Sequence, residues 1–85
     1  MSRKRTIRVK RVHIYNGVPR NPEFCPVAKA LDEQLGGTWQ VRSEVAVDLD
    51  DVNRTIILPG FVRRFVERFD EDDEVMKPIH FTVYV

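Results

Sequence analysis

The sequence has very little of what usually builds an enzyme or metal site. It contains one cysteine and two histidines, which excludes an internal disulfide and leaves no Cys/His cluster with zinc spacing. Neither G-x-x-x-x-G-K-[ST] nor G-x-G-x-x-G occurs, so the standard nucleotide-binding loops are excluded as well. We therefore predict no catalytic set, no metal and no cofactor, and we do not expect an enzyme.

Long apolar runs are also missing. No stretch of about 18 apolar residues is present, so no transmembrane helix is predicted. The start, MSRKRTIRVK, is basic but lacks the apolar segment of a signal peptide. We expect a cytoplasmic protein, in the host-cell cytoplasm if a phage encodes it. With 85 residues one domain is the default, here 6–85 after a basic disordered arm at 1–5.

The net charge of +1 hides an asymmetry along the chain. Basic residues gather at the start, at Arg3, Lys4, Arg5, Arg8, Lys10 and Arg11. Acidic residues gather at 48–51 and in the run DEDDE at 70–74. Such runs are commonly solvated ends and loops. The alternative is that the arm, through Arg3, Lys4 and Arg5, binds nucleic acid.

Hydrophobic spacing predicts six elements. Four strands are expected at 6–10, 38–49, 54–58 and 79–85, with helices that begin at Pro26 and Pro59. The longest alternation, TWQVRSEVAVDL, predicts one continuous half-buried strand, and DDVN predicts the turn that follows it. Residues 11–17 fit either a β-bulge or a short helical turn closed by Gly17, and we prefer the turn.

The element order β-α-β-β-α-β is that of the ferredoxin-like fold. It predicts an α+β protein with a four-stranded antiparallel sheet and two helices on one face. The predicted core contains Ile7, Val9, Val27, Leu31, Leu35, Trp39, Val41, Val45, Val47, Ile56, Leu58, Phe61, Phe65, Phe69, Phe81 and Val83.

The start of the first helix is one candidate site. Cys25 precedes Pro26, and a helix N-terminus can lower a thiol pKa or hold an anion. Three interpretations stay open: a small, partly buried residue, a reactive thiol, or an anion site that Cys25 only lines. Asn16, Arg20 and Asn21 would complete the anion site, with the guanidinium pairing with a phosphate or carboxylate.

The open face of the sheet is the second candidate. It is expected to carry Arg8, Lys10, Arg42, Glu44, Thr55, Ile57, His80, Thr82 and Tyr84. Sheets of this topology bind RNA through two or three aromatic residues, and Tyr84 is the only one here, so the usual RNA recognition is not favoured. The same face is a candidate subunit interface, and homo-oligomerisation is predicted. Arg42, His80 and Tyr84 join the candidate ligand-binding residues.

The segment NGVPRNPEFCPVAKAL resembles a pattern in an uncharacterised family of small bacteriophage and actinobacterial proteins. The matching positions are Cys25, Pro26, Ala28, Ala30 and Leu31. A later segment, IILPGFVRRFVERFD, is similar to the family's Leu-Pro step and aromatic helix at Leu58, Pro59, Phe69 and Asp70. The resemblance runs from about Val12 to the end, and the basic start departs from it.

This resemblance implies a phage or prophage source, where small non-enzymatic proteins often bind host factors or capture defence signals. It supplies no catalytic residues. Our leading hypothesis is a non-catalytic binding protein for counter-defence or host takeover, which captures an anionic nucleotide-like ligand or blocks a host protein. The alternatives are a nucleic-acid accessory protein that uses the basic arm and a structural, self-assembling module.

Overall fold

The computed structural model describes residues 3–71 and 77–84 of the chain. In chain order its elements are β1 (Lys4–Val9), α1 (Arg11–Asn16), α2 (Pro26–Leu35), β2 (Trp39–Val41), β3 (Val45–Asp48), β4 (Asp51–Ile57), α3 (Gly60–Asp70) and β5 (Ile79–Tyr84). Most of the acidic run at 70–74, most of the expected linker at 71–78, and Val85 lie outside the described residues. So do the first two residues of the expected arm.

The strands form two antiparallel sheets. β1 pairs with β5, and β2, β3 and β4 form a three-stranded meander. β4 lies beside β5, where the two sheets meet. The α+β class is therefore confirmed, but the described residues do not pair into the single four-stranded sheet of the ferredoxin-like prediction.

The long strand predicted at 38–49 is wrong because the chain reverses within it. Val41 pairs with Ala46, and the N–H of Arg42 donates to the carbonyl of Val45 at 2.7 Å. The reversal changes the phase, so Ala46 is buried although alternation placed it outside. An alternating pattern carries no mark of a tight turn. The one hint was Ser43, a polar residue in the apolar phase.

The first strand begins earlier than predicted. Lys4 and Arg5, which the sequence assigned to the disordered arm, pair with Tyr84 and Val83. The fourth strand also begins early, at Asp51 inside the predicted turn, and the turn lies at residues 49–50. Residues 11–16 are helical, which confirms the preferred helical turn and not the β-bulge for this segment.

The core lies between the inward faces of the sheets and helices α2 and α3. The buried cluster includes Ile7, Val9, Val27, Leu31, Trp39, Val41, Ala46, Ile56, Leu58, Val62, Phe65, Phe81 and Val83. The prediction that Phe61 lies in the core is wrong: 45% of its surface is exposed, and Val62 is buried instead. The cause is that a line of i, i+4 residues drifts about 40° per step around a helix.

A buried carboxylate joins the end of α2 to the three-stranded sheet. Asp48 is buried and accepts hydrogen bonds from the N–H groups of Thr38 and Asp50, at 3.2 and 2.9 Å. Nη1 of Arg54 donates to its other oxygen at 3.0 Å, and the same guanidinium lies over the Trp39 ring. The Asp48 carboxylate is buried and bonded to Thr38, Asp50 and Arg54 of the same chain, so we assign it a structural role.

A side-chain amide occupies the outer edge of β1. Oε1 of Gln34, in the last turn of α2, accepts from the N–H of Arg8 at 2.9 Å. Nε2 of the same amide donates to the carbonyl of Arg8 at 2.7 Å. Gln34 thus supplies both hydrogen bonds that a further strand would have made at this position.

Candidate functional site

The predicted site residues fall into separate regions of the molecule. Arg20, Asn21 and Cys25 line one cavity of about 300 Å³ together with Asp70. Asn16 lies in a different cavity of about 360 Å³, lined also by Val12, His13, Lys29, Asp32 and Glu33. Arg42 is in the turn between β2 and β3, while His80 and Tyr84 are on β5. Of the seven predicted site residues, the structure therefore groups Arg20, Asn21 and Cys25 in one cavity and His80 with Tyr84 on one strand, and it separates Asn16 and Arg42 from both groups.

In the first cavity Arg20 is already engaged with the end of α3. Its N–H donates to Oδ1 of Asp70 and its Nη1 donates to the Asp70 carbonyl, both at 2.8 Å. A φ of 59° allows the backbone and the guanidinium to reach the same residue. The left-handed conformation costs a non-glycine residue about 1–2 kcal/mol, and these two bonds offset it. An incoming anion would compete with the Asp70 carboxylate.

The N–H groups at the start of α2 are satisfied from within the chain. Sγ of Cys25 accepts from the N–H of Ala28 at 3.5 Å, and the Cys25 carbonyl accepts from Lys29 at 3.0 Å. Pro26 has no N–H to offer. Oδ1 of Asn21 accepts from Glu23 and Phe24. The helix start therefore presents few free donors, so the geometry favours another surface for an anion.

The cysteine has the environment of a structural thiol. Only 2% of its surface is exposed. Burial raises the pKa of the Cys25 thiol, and the Asp70 charge adds to the rise, while hydrogen bonds from Ala28 and Val27 oppose it. The thiolate is the nucleophilic form, so a raised pKa argues against sulfur chemistry.

The second cavity contains a buried histidine with two partners. Nδ1 of His13 accepts from the N–H of Lys10 at 2.9 Å, so Nε2 carries the proton and donates to Oε2 of Glu33 at 3.1 Å. This hydrogen bond is the largest cause that lowers the pKa of Glu33. Nζ of Lys10 lies 3.5 Å from Oε1 of Glu33. The cluster ties α1 to α2 through the His13–Glu33 hydrogen bond and the Lys10–Glu33 ion pair.

The remaining candidate is the outward face of the β1–β5 pair. Six side chains alternate with the buried ones and are all exposed: Lys4, Thr6, Arg8, His80, Thr82 and Tyr84. We call these six residues the basic face. Across the strands Lys4 lies opposite Tyr84, Thr6 opposite Thr82, and Arg8 opposite His80. Each end of the basic face therefore has a cation beside a ring.

The neighbouring strand β4 also has exposed residues on its outward face. Thr55 and Ile57 are exposed on β4, which lies beside β5, and Ile57 keeps 82% of its surface exposed. Of the open-face prediction, Lys10 instead caps α1, and Arg42 and Glu44 are in the β2–β3 turn. Sequence reasoning named Lys4 only as part of the basic arm and left both Lys4 and Thr6 out of this face, although their alternation with Ile7 and Val9 was a signal for them.

Comparisons with known proteins identify no relative. No protein-family model, no curated protein and no solved structure matches this chain. Among residues 3–71 and 77–84 no three His, Cys, Asp or Glu side chains gather in an arrangement that could hold a metal ion. Within the same ranges, every helix is too short or too polar for a membrane span.

Proposed function

We propose that this chain is a small, non-catalytic protein that captures an anionic nucleotide-like ligand on its basic face. One observation carries the proposal: Lys4 and Arg8 each lie directly across the strand pair from a ring, Tyr84 and His80. Cross-strand neighbours have β-carbons about 4.5–5.5 Å apart, close enough for both to contact one ligand. Such a pair suits a nucleotide, because the cation can contact the phosphate and the ring offers a flat surface for the base.

Charge on these two strands supports the same ligand class. β1 and β5 contain no acidic residue, while acidic residues lie at 48–51 and 70–74. A phosphate on the basic face therefore has no neighbouring carboxylate on either strand, unlike one in the Arg20 cavity, where Asp70 lines the wall. The resemblance to small phage proteins supports a use in counter-defence or host takeover.

The test is an NMR titration of the ¹⁵N-labelled protein with cyclic and ADP-ribose-type nucleotides. We expect chemical-shift changes on β1 and β5, and weaker binding for Arg8→Ala. Arg64→Ala is the matched control because it removes the same charge from an exposed position on α3. Absence of shifts on β1 and β5 at about 100 μM protein, a sensitivity of roughly −5 to −6 kcal/mol, would overturn capture of these nucleotides.

A further inference from the structure

The shape of the basic face separates it from a small-molecule site. Small ligands usually bind in concave sites that bury about 70–90% of their surface. The cavities of about 300 and 360 Å³ are lined by other residues, whereas the basic face is the outer surface of two strands. A single nucleotide would be covered on one side only. A longer ligand gains affinity on such a surface by repeating the contact.

The spacing along the strands fits a ligand that repeats. Lys4 and Arg8 are four residues apart on the same side of β1, about 13 Å at roughly 3.3 Å per residue. Tyr84 and His80 are separated by the same number of residues on β5 and lie opposite them. The basic face therefore has two cation–ring pairs, one at each end. Two such pairs match two phosphates and two bases along one strand better than a single phosphate group.

The exposed ring selects single strands over duplexes. Tyr84 has 64% of its surface exposed at one end of the face. A base can stack on a side chain only if its own face is free, and bases inside a duplex are already stacked on each other. Stacking on aromatic residues combined with a basic surface is the usual way in which proteins hold single strands without reading their sequence. Between the two pairs, the hydroxyls of Thr6 and Thr82 are hydrogen-bonding groups of the kind that contact phosphate and sugar.

Same-sign charge argues against a second copy of the chain as the occupant. Two basic faces in contact would bring Lys4 and Arg8 of each copy together without an acidic partner on β1 or β5. Like charges placed opposite each other destabilise a pairing. An anionic occupant gains from the same residues.

Resting on the proposed function, we infer that the ligand is a single-stranded nucleic acid that runs along β1 and β5. Lys4 and Arg8 bind its phosphates, one base stacks on Tyr84, and a second base packs at His80. The contacts are to backbone and ring faces, so binding is tolerant of base sequence. Duplex and free mononucleotide bind much more weakly.

The experiment uses the full chain and fluorescence anisotropy with 5′-labelled oligothymidylates, together with an NMR titration of unlabelled oligomers and thymidine monophosphate. Lengths run from one nucleotide up to about twelve, since proteins of this kind cover about 4–16 nucleotides per domain. A blunt duplex of equal length is the comparison. Light scattering beforehand gives the oligomeric state. We expect affinity to rise with length and then level off, with shifts confined to β1, β5 and neighbouring β4.

Variants assign the contacts. Tyr84→Thr keeps a strand-forming residue but removes the ring, and we expect at least about fivefold weaker binding. Tyr84→Phe keeps the ring and is expected to bind like the parent. Arg8→Ala should weaken binding on the order of tenfold, and Arg64→Ala should leave it unchanged. Circular dichroism of each variant confirms that the fold is retained.

The outcomes separate the two proposals. If thymidine monophosphate binds as tightly as the oligomers and shifts the same residues, the proposed function stands and this inference is overturned. Equal affinity for duplex, or a Tyr84→Thr variant that binds like the parent, also overturns the inference. If no nucleotide or oligomer shifts β1 or β5, both proposals fail. Light scattering could instead show a dimer that becomes monomeric in the Arg8→Glu variant. That result would mean that a second copy covers the basic face, and it would also overturn the inference.

Discussion

Gly17 lies directly against the ring of Pro26. A β-carbon on residue 17 would stand 2.7 Å from both Cγ and Cδ of Pro26 and 2.9 Å from the carbonyl oxygen of His13. The backbone at Gly17 has an ordinary φ of −70°, so the position needs glycine for space and not for conformation. The Asn-Gly and Cys-Pro steps of the sequence thus meet where α1 ends and α2 begins.

Replacing this glycine should destabilise the protein. We expect Gly17→Ala to lower the free energy of unfolding by about 1–3 kcal/mol, because the added carbon overpacks the contact with the buried Pro26 ring. Guanidinium denaturation measures the change. The loss should be smaller in a Pro26→Ala background, where the ring is absent. An equal loss in both backgrounds would mean that Pro26 is not the cause.

The thiol of Cys25 should act as a helix cap. Cys25→Ala removes the acceptor for the Ala28 N–H, and we expect a loss of about 1 kcal/mol. Cys25→Ser restores an acceptor and should recover most of it. Ligand binding on the basic face should be the same in all three proteins. A binding defect in Cys25→Ser with normal stability would restore sulfur chemistry as a candidate.

The same thiol should be inert in the folded protein. Burial raises its pKa, so at pH 8 the native protein should react with a disulfide reagent only as fast as it unfolds. Adding guanidinium should release the full reactivity of one thiol per chain. Rapid reaction of the native protein would contradict the buried placement.

The ionisation of Asp32 should lower the free energy of unfolding as pH rises, which is the opposite of the usual effect of a carboxyl group. Burial is the largest cause that raises the pKa of its carboxyl above the ordinary 3.8, although the Trp39 N–H bond opposes the rise. A carboxyl with a raised native pKa binds more protons when folded. Its ionisation therefore lowers the free energy of unfolding as pH rises from the unfolded to the native pKa. Asp32→Asn keeps an oxygen for Trp39, so its stability relative to the parent should improve across that interval.

Glu33 provides the control of opposite sign. Its pKa is lowered from the ordinary 4.5, chiefly by the hydrogen bond to His13. The stabilising effect of its charge is present above 4.5 and is lost as pH falls through the native pKa. Glu33→Gln should therefore lose stability relative to the parent as pH rises through the same region. Unfolding curves at a series of pH values measure both variants, and equal signs would refute the assignment.

The amide of Gln34 should protect one backbone group in particular. Gln34→Ala removes both hydrogen bonds to Arg8, and we expect a loss of about 1–3 kcal/mol. Hydrogen exchange should accelerate at the Arg8 amide. The contact between Arg5 and the backbone carbonyl of residue 34 is retained in this variant. A stability loss without faster exchange at Arg8 would place the effect elsewhere.

The salt dependence of the binding constant should give the number of phosphates that the basic face contacts. For single strands the logarithm of the binding constant falls with the logarithm of salt by about 0.7 per neutralised phosphate. Arg8→Ala should make this slope shallower by about 0.7 between roughly 50 and 200 mM salt. Arg64→Ala should leave the slope as it is. A slope unchanged by Arg8→Ala would show that Arg8 does not contact phosphate.

Local spacing was enough to predict helices α2 and α3 and the buried faces of the first and last strands, β1 and β5. Pro26 marked the first residue of α2, and Ile7, Val9, Phe81 and Val83 face the core as their alternation required. Strand pairing was harder because it depends on where the chain turns, and the reversal at 42–44 is invisible to alternation. Because of that turn and the separate β1–β5 pair, the described strands form two sheets and not the predicted four-stranded ferredoxin-like sheet.

The candidate site was predicted only in pieces. His80, Tyr84 and Arg8 were named from the sequence, but Lys4 was assigned to an arm because its partner lies at the other end of the chain. The sequence predicted an anion site at the Arg20 loop and the start of α2. It could not show that the Arg20 N–H is already bonded to Asp70 and that the Ala28 N–H is already bonded to Cys25. Homo-oligomerisation, a host target and a phage origin stay predictions.

The pairing of β1 with β5 also sets the time at which the basic face comes into existence. Ile7 pairs with Phe81, so the two strands meet across nearly the whole described chain. Contacts between residues so distant in sequence form late, since a long loop must close before they stabilise anything. A chain emerging from the ribosome would expose Lys4 and Arg8 early but would lack Tyr84 and His80. It would reach full affinity only after residue 84 had left the exit tunnel.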